Sequence, residues 1–136
     1  MLTQKIINEI SFQIVSCSIE VNKELGPGLI ESIYEKCLIY ELQKNGFEVK
    51  SQLILPIKYK NQIIESGLRI DLLINDIVIV ELKAVDIIIP MYKAQLLTYL
   101  KLSGKPKGLL INFNCTNITQ NLVPLVTDVF SSFPKE

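Results

Sequence analysis

The sequence predicts an α/β (α+β) fold in which a mixed β-sheet is flanked by helices. Its 136 residues, 49% of them hydrophobic, suffice for one domain with a packed core, and a charged fraction of 21% argues against disorder. Apolar residues recur every three or four positions before Gly46 and every second position after it. We therefore expect a single domain over residues 1–136 with the element order α-α-β-β-β-β-α-β.

Two helices are predicted at the start of the chain. Between Leu2 and Leu25 the apolar residues form one helical stripe, which consists of Leu2, Ile6, Ile10, Ile14, Cys17 and Val21. The segment Gly26-Pro27-Gly28 ends this helix, because glycine suits a helix C-cap and proline cannot continue the backbone ladder. A second helix ends at Asn45-Gly46, and its predicted buried face is Ile30, Ile33, Tyr34, Cys37, Leu38 and Leu42.

Strands are predicted from Phe47 onward. Residues 47–59 form an extended edge-type strand interrupted by Pro56, and a turn at Lys60-Asn61 leads into a strand over 62–65. Residues 68–74 and 77–85 flank Asn75-Asp76, which indicates a tight β-hairpin because Asn and Asp tolerate positive φ. The run Ile77-Val78-Ile79-Val80 is apolar on both faces, as expected of a central strand.

The last part of the chain predicts a helix and then a strand. Pro90 precedes a helix over Met91–Leu102, and a strand over Gly108–Asn114 follows. Beyond Asn114 the sequence predicts no element clearly, since Pro124 interrupts an apolar stretch.

The composition excludes several classes of enzyme. The chain has no histidine, which rules out Ser-His-Asp and Cys-His hydrolases, H-E-x-x-H zinc proteases and histidine phosphotransfer. Catalysis would have to use carboxylates, lysine, tyrosine, hydroxyls, thiols or a metal held by oxygen ligands. The 14 basic side chains, of which only Arg69 is an arginine, balance 14 acidic ones, so the average charge does not indicate a polyanionic partner.

The cysteines and the N-terminus indicate a cytoplasmic protein. Cys17, Cys37 and Cys115 lie far apart without C-x-x-C spacing, which is typical of reduced thiols and disfavours a zinc site. Polar residues interrupt the N-terminal apolar positions, unlike in a signal peptide. No apolar run reaches the roughly 18 residues of a membrane helix.

The charged residues of the predicted hairpin are the strongest candidates for chemistry. Asp71 lies on its first strand, and Glu81 and Lys83 lie two residues apart on its second, so these two project from one face. Two carboxylates can hold a hard cation such as Mg²⁺, and the lysine can stabilise developing negative charge. The alternative is a cross-strand salt-bridge ladder of Glu81, Lys83 and Arg69, which is the commoner arrangement for so short a motif.

The register of the hairpin distinguishes these alternatives. A two-residue loop at Asn75-Asp76 would place Asp71 opposite Val80, with Asp71 and Glu81 on opposite faces. A shared metal requires both carboxylates on one face. The metal hypothesis therefore predicts a three-residue turn that includes Ile77, a bulge, or a bend near Asp71.

Two helix motifs add weaker candidates. Glu31 lies in the first turn of the second helix within Gly28-x-x-Glu31-x-x-Tyr34, where the helix dipole alone can account for it, and Glu35 follows one turn later. Gln95 and Tyr99 form an i, i+4 pair on the third helix, which is either a substrate-orienting pair or a surface glutamine beside a half-buried tyrosine.

A basic cluster follows the third helix. It consists of Lys101, Lys105 and Lys107, and it is either a solvated face or a contact for a nucleic-acid backbone. Gly26-Pro27-Gly28 does not follow a strand, so it does not indicate a phosphate-binding loop.

Taken together, these motifs resemble the GxxExxY proteins. The resemblance extends over about residues 3–125 and rests on blocks in the same order: Leu25–Glu35, Arg69-Ile70-Asp71, Ile79–Ala84, Ala94–Leu100 and Leu109–Phe113. That family is placed in the PD-(D/E)XK nuclease-like superfamily, near the lambda-exonuclease and RecB-like nucleases. The resemblance implies a restriction-endonuclease-like core. Many members carry His where this chain has Asn22.

The resemblance also implies roles for individual residues. Asp71, Glu81 and the backbone carbonyl of Leu82 would bind the metal, with Glu31 as the helix-borne acidic residue and Lys83 as the catalytic lysine. Gln95 and Tyr99 would match the Gln-x-x-x-Tyr motif of the RecB-like group.

These observations lead to three hypotheses. The first is a nuclease in which Glu31, Asp71 and Glu81 hold one or two Mg²⁺ (or Mn²⁺) ions. With Lys83, the metal would hydrolyse phosphodiester bonds, and DNA is the expected substrate. The second is a catalytically weak or inactive nuclease-fold module that binds nucleic acid or a protein partner, which the zero net charge favours. The third is a fold kept for homodimerisation.

Overall fold

The computed structural model describes residues 1–136. Its helices and strands follow in the order α1 (Gln4–Leu25), α2 (Glu31–Lys44), β1 (Val49–Ile54), β2 (Ile57–Tyr59), β3 (Gln62–Ile64), β4 (Arg69–Ile74), β5 (Val78–Lys83), α3 (Pro90–Ser103), β6 (Lys107–Asn112), β7 (Leu122–Val126) and α4 (Asp128–Ser132), with a 3₁₀ turn at Ile118–Asn121 before β7.

Five of the strands form one mixed sheet in the order β1-β4-β5-β6-β7. Only β5 and β6 are parallel, and α3 provides the crossover that a parallel pair requires. The other neighbours are antiparallel. Since α1 and α2 pack on one face and α3 on the other, the predicted mixed sheet with flanking helices is confirmed.

The ends of α1 follow from capping. The Thr3 hydroxyl accepts a hydrogen bond from the Ile6 N–H at 3.1 Å, which satisfies one of the free donors of the first turn. At the other end Gly26 has φ 67°, in the left-handed region where glycine carries no steric penalty. The chain can therefore turn at once from α1 toward α2.

The structure differs from the sequence-based prediction at two proline sites. Residues 47–59 form two strands, because the chain turns away from the main sheet at Pro56 and β2 pairs only with β3. Pro124 lies within β7, which pairs antiparallel with β6 at the edge of the sheet. An edge strand tolerates proline because its outer N–H groups need no partner.

Two apolar clusters fill the space between sheet and helices. The cluster under α1 and α2 contains 17 buried residues, among them Tyr34 and Phe113, whose rings stack with centroids 5.2 Å apart. The cluster under α3 contains eight: Leu55, Ile70, Leu73, Ile79, Leu96, Tyr99, Leu100 and Leu110. All three cysteines are free thiols. None of the helices combines the length and apolar character needed to cross a bilayer.

Candidate active site

The β4–β5 hairpin brings Asp71 and Glu81 together. Its turn contains three residues, Asn75, Asp76 and Ile77, and its register pairs Ile74 with Val78 and continues to Leu72 with Val80. The next position in this register places Asp71 opposite Glu81, so both carboxylates lie on one face. The three-residue turn that the metal hypothesis requires is confirmed.

Asp71 also lies where strand β4 rotates. The ladder to β1 omits the pair Gln52–Asp71, and Gln52 adopts φ 52°, a left-handed conformation that is uncommon for a residue with a side chain. On one side of this break Leu72 packs under α1 and α2, and on the other Ile70 packs under α3. The break lies directly beside Asp71, whose side chain shares the face of Glu81.

The Asp71 and Glu81 side chains interact through the backbone of the hairpin. The Leu82 N–H donates to Oδ2 of Asp71 at 2.9 Å, and the Asp71 N–H points at Oε1 of Glu81 at 3.4 Å. Glu81 is only 7% exposed. Burial raises the pKa of Glu81 to about 9, and the charge of Asp71 acts in the same direction. A divalent cation at this pair would stabilise the ionised form of Glu81.

Two further carboxylates, Glu31 and Glu35 of α2, are close enough for the charge of Asp71 to raise their pKa values. Loss of solvation raises the pKa of Glu31, and the charge of Asp71 contributes to that rise. Desolvation likewise raises the pKa of Glu35, whose Oε1 accepts from the Gln52 amide at 2.8 Å. The same amide points at Oδ1 of Asp71 at 3.4 Å. The first turns of α2 thus add negative charge to the site.

Lys83 is the last residue of β5, two positions after Glu81. Its ammonium is 4.5 Å from the centre of the Tyr92 ring, a cation–π contact. The two salt bridges of the structure are Lys50–Glu48 and Lys105–Asp76, so Lys83 makes none, and the cross-strand ladder with Glu81 and Arg69 does not form. A cleft of about 550 Å³ opens beside Lys83, lined by Leu68, Met91, Tyr92, Ala94, Gln95, Thr98 and Tyr99.

Gln95 and Tyr99 form a hydrogen-bonded pair in this cleft. The Gln95 amide donates to the Tyr99 hydroxyl at 3.0 Å, as their i, i+4 spacing allows. Burial raises the pKa of Tyr99, and the charge of Glu81 adds to the rise. The Tyr99 hydroxyl therefore remains protonated at neutral pH and can donate its own hydrogen.

Tyr34 closes the loop that precedes Glu31. Its hydroxyl donates to the Gly26 carbonyl at 2.6 Å and accepts from the Leu29 N–H at 3.2 Å. The tyrosine of the Gly28-x-x-Glu31-x-x-Tyr34 pattern is fully buried and is part of the core. Its observed contacts are structural.

Asparagine side chains connect the same region to the end of β5. Asn112 is fully buried, and its amide group bonds both the N–H and the carbonyl of Val85, at 3.1 and 2.8 Å. The Asn114 Oδ1 accepts from the Gly28 N–H at 3.1 Å. Asn22 donates to the Cys115 carbonyl at 2.9 Å, so it holds the chain after β6. Neither Asn112 nor Gln52 was predicted as a site residue. Asn112 lies in the Leu109–Phe113 block, which was interpreted only as part of a strand, and Gln52 belongs to no motif.

The basic cluster after α3 is largely occupied within the chain. The Lys105 ammonium binds the Asp76 carboxylate at 3.1 Å, and the Lys107 ammonium donates to the Asn8 side chain at 3.0 Å. These contacts favour the interpretation of the cluster as a solvated face over a contact for a nucleic-acid backbone.

The oxygen atoms at the hairpin are suitable ligands for a hard cation. The Lys83 carbonyl accepts from the Phe113 N–H, whereas the Leu82 N–H points toward β4. Because successive peptide groups of a strand point to opposite neighbours, the Leu82 carbonyl also faces β4, beyond its last paired residue. Two carboxylates and one carbonyl are oxygen donors of the kind that Mg²⁺ prefers. No three acidic or thiol side chains converge to form a common metal-binding group, so the structure does not bring Glu31, expected as a metal-binding residue, into one group with Asp71 and Glu81. Glu31 is near enough for the charge of Asp71 to act on it.

Comparison with known proteins agrees with this geometry. A family model described as the PD-(D/E)XK nuclease superfamily matches residues 8–123, which include every candidate site residue. Neither the curated proteins nor the solved structures compared with the chain gave a match. Nucleases of this superfamily generally use divalent metal ions. The chain therefore belongs to the PD-(D/E)XK nuclease superfamily, and this membership supports a nuclease-type function.

Proposed function

We propose that this protein is a Mg²⁺-dependent nuclease that hydrolyses phosphodiester bonds of DNA, and that Mn²⁺ can replace Mg²⁺. The observation that carries the proposal is the Asp71–Glu81 pair, in which a buried carboxylate lies beside a second one and neither has a cationic side chain bound to it. We further place the chain in the GxxExxY subfamily, near the RecB-like group, as one domain over residues 1–136.

Asp71, Glu81 and the Leu82 carbonyl would hold the ion. The Leu82 N–H donates to Oδ2 of Asp71 and fixes the position of the carboxylate, while Oδ1 faces the Gln52 amide. Glu31 would add its charge from the start of α2. When bound, the cation would polarise the phosphoryl oxygen and lower the pKa of the attacking water.

Lys83 would stabilise the negative charge that develops on the phosphoryl oxygens. Its ammonium lies at the cleft and is free of any ion pair, so it can contact a phosphate without first breaking a salt bridge. The same ammonium contacts the Tyr92 ring. A positioned cationic donor stabilises the charge that develops in the transition state.

Gln95 and Tyr99 would orient the substrate or the attacking water. The Gln95 amide is held by the Tyr99 hydroxyl, so its carbonyl oxygen remains available as an acceptor. The Tyr99 hydroxyl, kept protonated by its raised pKa, supplies a donor on the same side. Together they offer one acceptor and one donor next to Lys83.

Cleavage assays on purified protein test this proposal. Labelled single- and double-stranded DNA and RNA would be incubated with Mg²⁺, Mn²⁺ or EDTA, with the wild type beside Asp71→Asn and Lys83→Ala. We expect DNA cleavage that needs the metal and is lost in both variants. Asp128→Asn is the matched control, because Asp128 is an exposed aspartate at the start of α4 and is not a candidate site residue.

Four results would contradict the proposal. Metal-independent cleavage, or cleavage that Asp71→Asn retains, would exclude the proposed site. Cleavage of RNA but not DNA would overturn the substrate. Nucleic-acid binding without cleavage, in protein whose melting temperature rises with Mg²⁺, would favour the inactive binding module.

A further inference from the structure

We propose that the β2–β3 hairpin is a nucleic-acid-binding arm that contacts the phosphate backbone beyond the cleft. The arm is defined here as residues 56–69. The inference rests on the proposed function, because it assigns to this hairpin a part of the same substrate.

The arm is an isolated two-stranded ladder. Three residue pairs join β2 to β3, and neither strand pairs with the main sheet. Two-stranded hairpins are marginally stable in water unless something packs against them. Here the apolar side chains remain in solvent, with Tyr59 57% and Ile63 71% exposed. The arm thus presents an uncovered surface.

The arm concentrates positive charge in a neutral protein. The hairpin carries Lys58 and Lys60, and at the base of the arm lies Arg69, the first residue of β4 and the only arginine of the chain. Glu65 is the single acidic residue of the arm. The net charge of the arm is therefore +2, and the remainder of the chain carries −2. All three cations are exposed and none forms a salt bridge, in contrast to Lys105. Unpaired exposed cations are the groups that neutralise phosphates.

The base of the arm is attached to the candidate site. The Leu55 N–H donates to the Leu68 carbonyl at 2.8 Å, and Leu68 also lines the cleft beside Lys83. Ser66 reinforces this base, because its hydroxyl donates to the Leu55 carbonyl at 2.6 Å. The arm is therefore held next to the cleft.

One substrate can reach both regions. Lys58 pairs with Ile63, which is eight residues from Asp71 along the chain, a separation of at most about 27 Å for extended backbone. This is the length of about eight base pairs. A nucleic acid in the cleft that continues along the arm would meet the lysines with its backbone. Charge and position together favour this partner over a second copy of the chain.

The salt dependence of DNA binding tests the arm. Lys58→Ala with Lys60→Ala would be compared with Lys5→Ala plus Lys44→Ala, which removes two exposed lysines elsewhere. Binding of labelled DNA of about 20 nucleotides or base pairs would be measured by fluorescence anisotropy between about 50 and 200 mM salt, without divalent cation. The slope of log K against log salt should fall in magnitude by about 1.4 for single strands or 1.8 for duplex in the arm variant. The control variant should keep the wild-type slope, and thermal melts would verify that both fold.

The outcomes separate the arm from the proposed function. Equal slopes for the arm variant and the wild type would overturn the arm, whatever the cleavage activity. Arm-dependent binding in a protein that never cleaves would support the arm and refute the nuclease. If the arm variant instead binds DNA normally but changes from dimer to monomer in light scattering, the hairpin is a contact between copies and the inference is wrong.

Discussion

The two faces of the central sheet differ in size and in chemistry. The face under α1 and α2 buries 17 hydrophobic residues, whereas the face under α3 buries eight, Tyr99 among them, and also carries Glu81 and Lys83. Most of the apolar burial, and hence most of the hydrophobic stabilisation, is therefore on the first face. Buried charges on the α3 face reduce stability, and the larger apolar cluster on the α1/α2 face can compensate for that cost.

The largest effect we expect is a loss of stability on the α1/α2 face. Leu38 is fully buried there, so Leu38→Ala should lower the free energy of unfolding by about 2–5 kcal/mol through lost burial and a cavity. Urea unfolding measures this change. The cleavage rate of the folded fraction should stay close to that of the wild type. A cost below about 1 kcal/mol would contradict the assignment of this face as the main source of stability.

Lys83→Ala should have the opposite profile. We expect cleavage to fall by about 10²–10³-fold, since one charge-stabilising donor is lost. The free energy of unfolding should change by less than about 0.5 kcal/mol, because Lys83 is only partly buried and forms no salt bridge. Initial rates and urea unfolding of the same preparation test both parts, and Lys44→Ala is the control. Equal losses of stability and activity would show that Lys83 acts through the fold.

Glu81 should make the stability of the metal-free protein depend on pH. Its pKa rises from the ordinary 4.5 to about 9 on folding, so the folded state binds more protons than the unfolded state between these values. The free energy of unfolding should therefore be largest below about pH 4.5, as far as Glu81 determines it, and should decrease as the pH rises toward 9. Glu81→Gln should remove this dependence and stabilise the protein at pH 8 by up to about 4–5 kcal/mol, since each pH unit between the two pKa values corresponds to about 1.4 kcal/mol.

Denaturant unfolding in EDTA across this pH range measures the difference between the two proteins. Glu20→Gln, a change at an exposed glutamate of α1, is the matched control and should follow the wild type. Parallel pH profiles for the wild type and Glu81→Gln would show that Glu81 stays ionised in the folded protein.

The smallest effect concerns the link between the α1/α2 core and the site. Tyr34→Phe removes a hydroxyl that bonds Gly26 and Leu29, and it should cost about 1–2 kcal/mol. Tyr40→Phe changes a 65% exposed tyrosine of the same helix and should cost almost nothing. Thermal melts of the two variants make this comparison. A Tyr34→Phe protein as stable as Tyr40→Phe would show that the loop before Glu31 does not depend on this hydroxyl.

Local patterns were sufficient to predict most elements. Periodicity and the conformations that glycine, asparagine and aspartate tolerate were sufficient for helix α1, its end at Gly26, the turn at Asn75-Asp76 and strand β5. The predicted stripe of α1 was wrong at Ile6, which is exposed, whereas Ile7 is buried. The three-residue turn followed from a chemical requirement, because two carboxylates can share a cation only from one face. The order of the sheet and the pairing of β7 could not be predicted this way, since they depend on contacts between distant segments.

The break in β4 shows what the sequence could not predict. Nothing about Gln52 as a residue type indicates φ 52°. At the break in the β1–β4 ladder, β4 changes sides: Leu72 packs in the α1/α2 cluster and Ile70 in the α3 cluster, and this depends on the packing of distant segments. The contact of Glu35 with Gln52 depends on the same packing. The arm is isolated because the chain leaves the main sheet at Pro56. The sequence-based prediction of one strand over residues 47–59 did not include this change of direction.

The sequence by itself determined which donors this protein can use: with no histidine, a metal site must be built from oxygen atoms, and Lys83 is the cation of the Asp71…Glu81-x-Lys83 pattern. The tertiary structure decided how those groups are arranged. It buried Glu81, placed Asp71 beside it, left Lys83 free of ion pairs and kept Glu31 at the edge of the site. Residue chemistry is a local property, whereas burial and the distance between charges arise only when separate segments pack together.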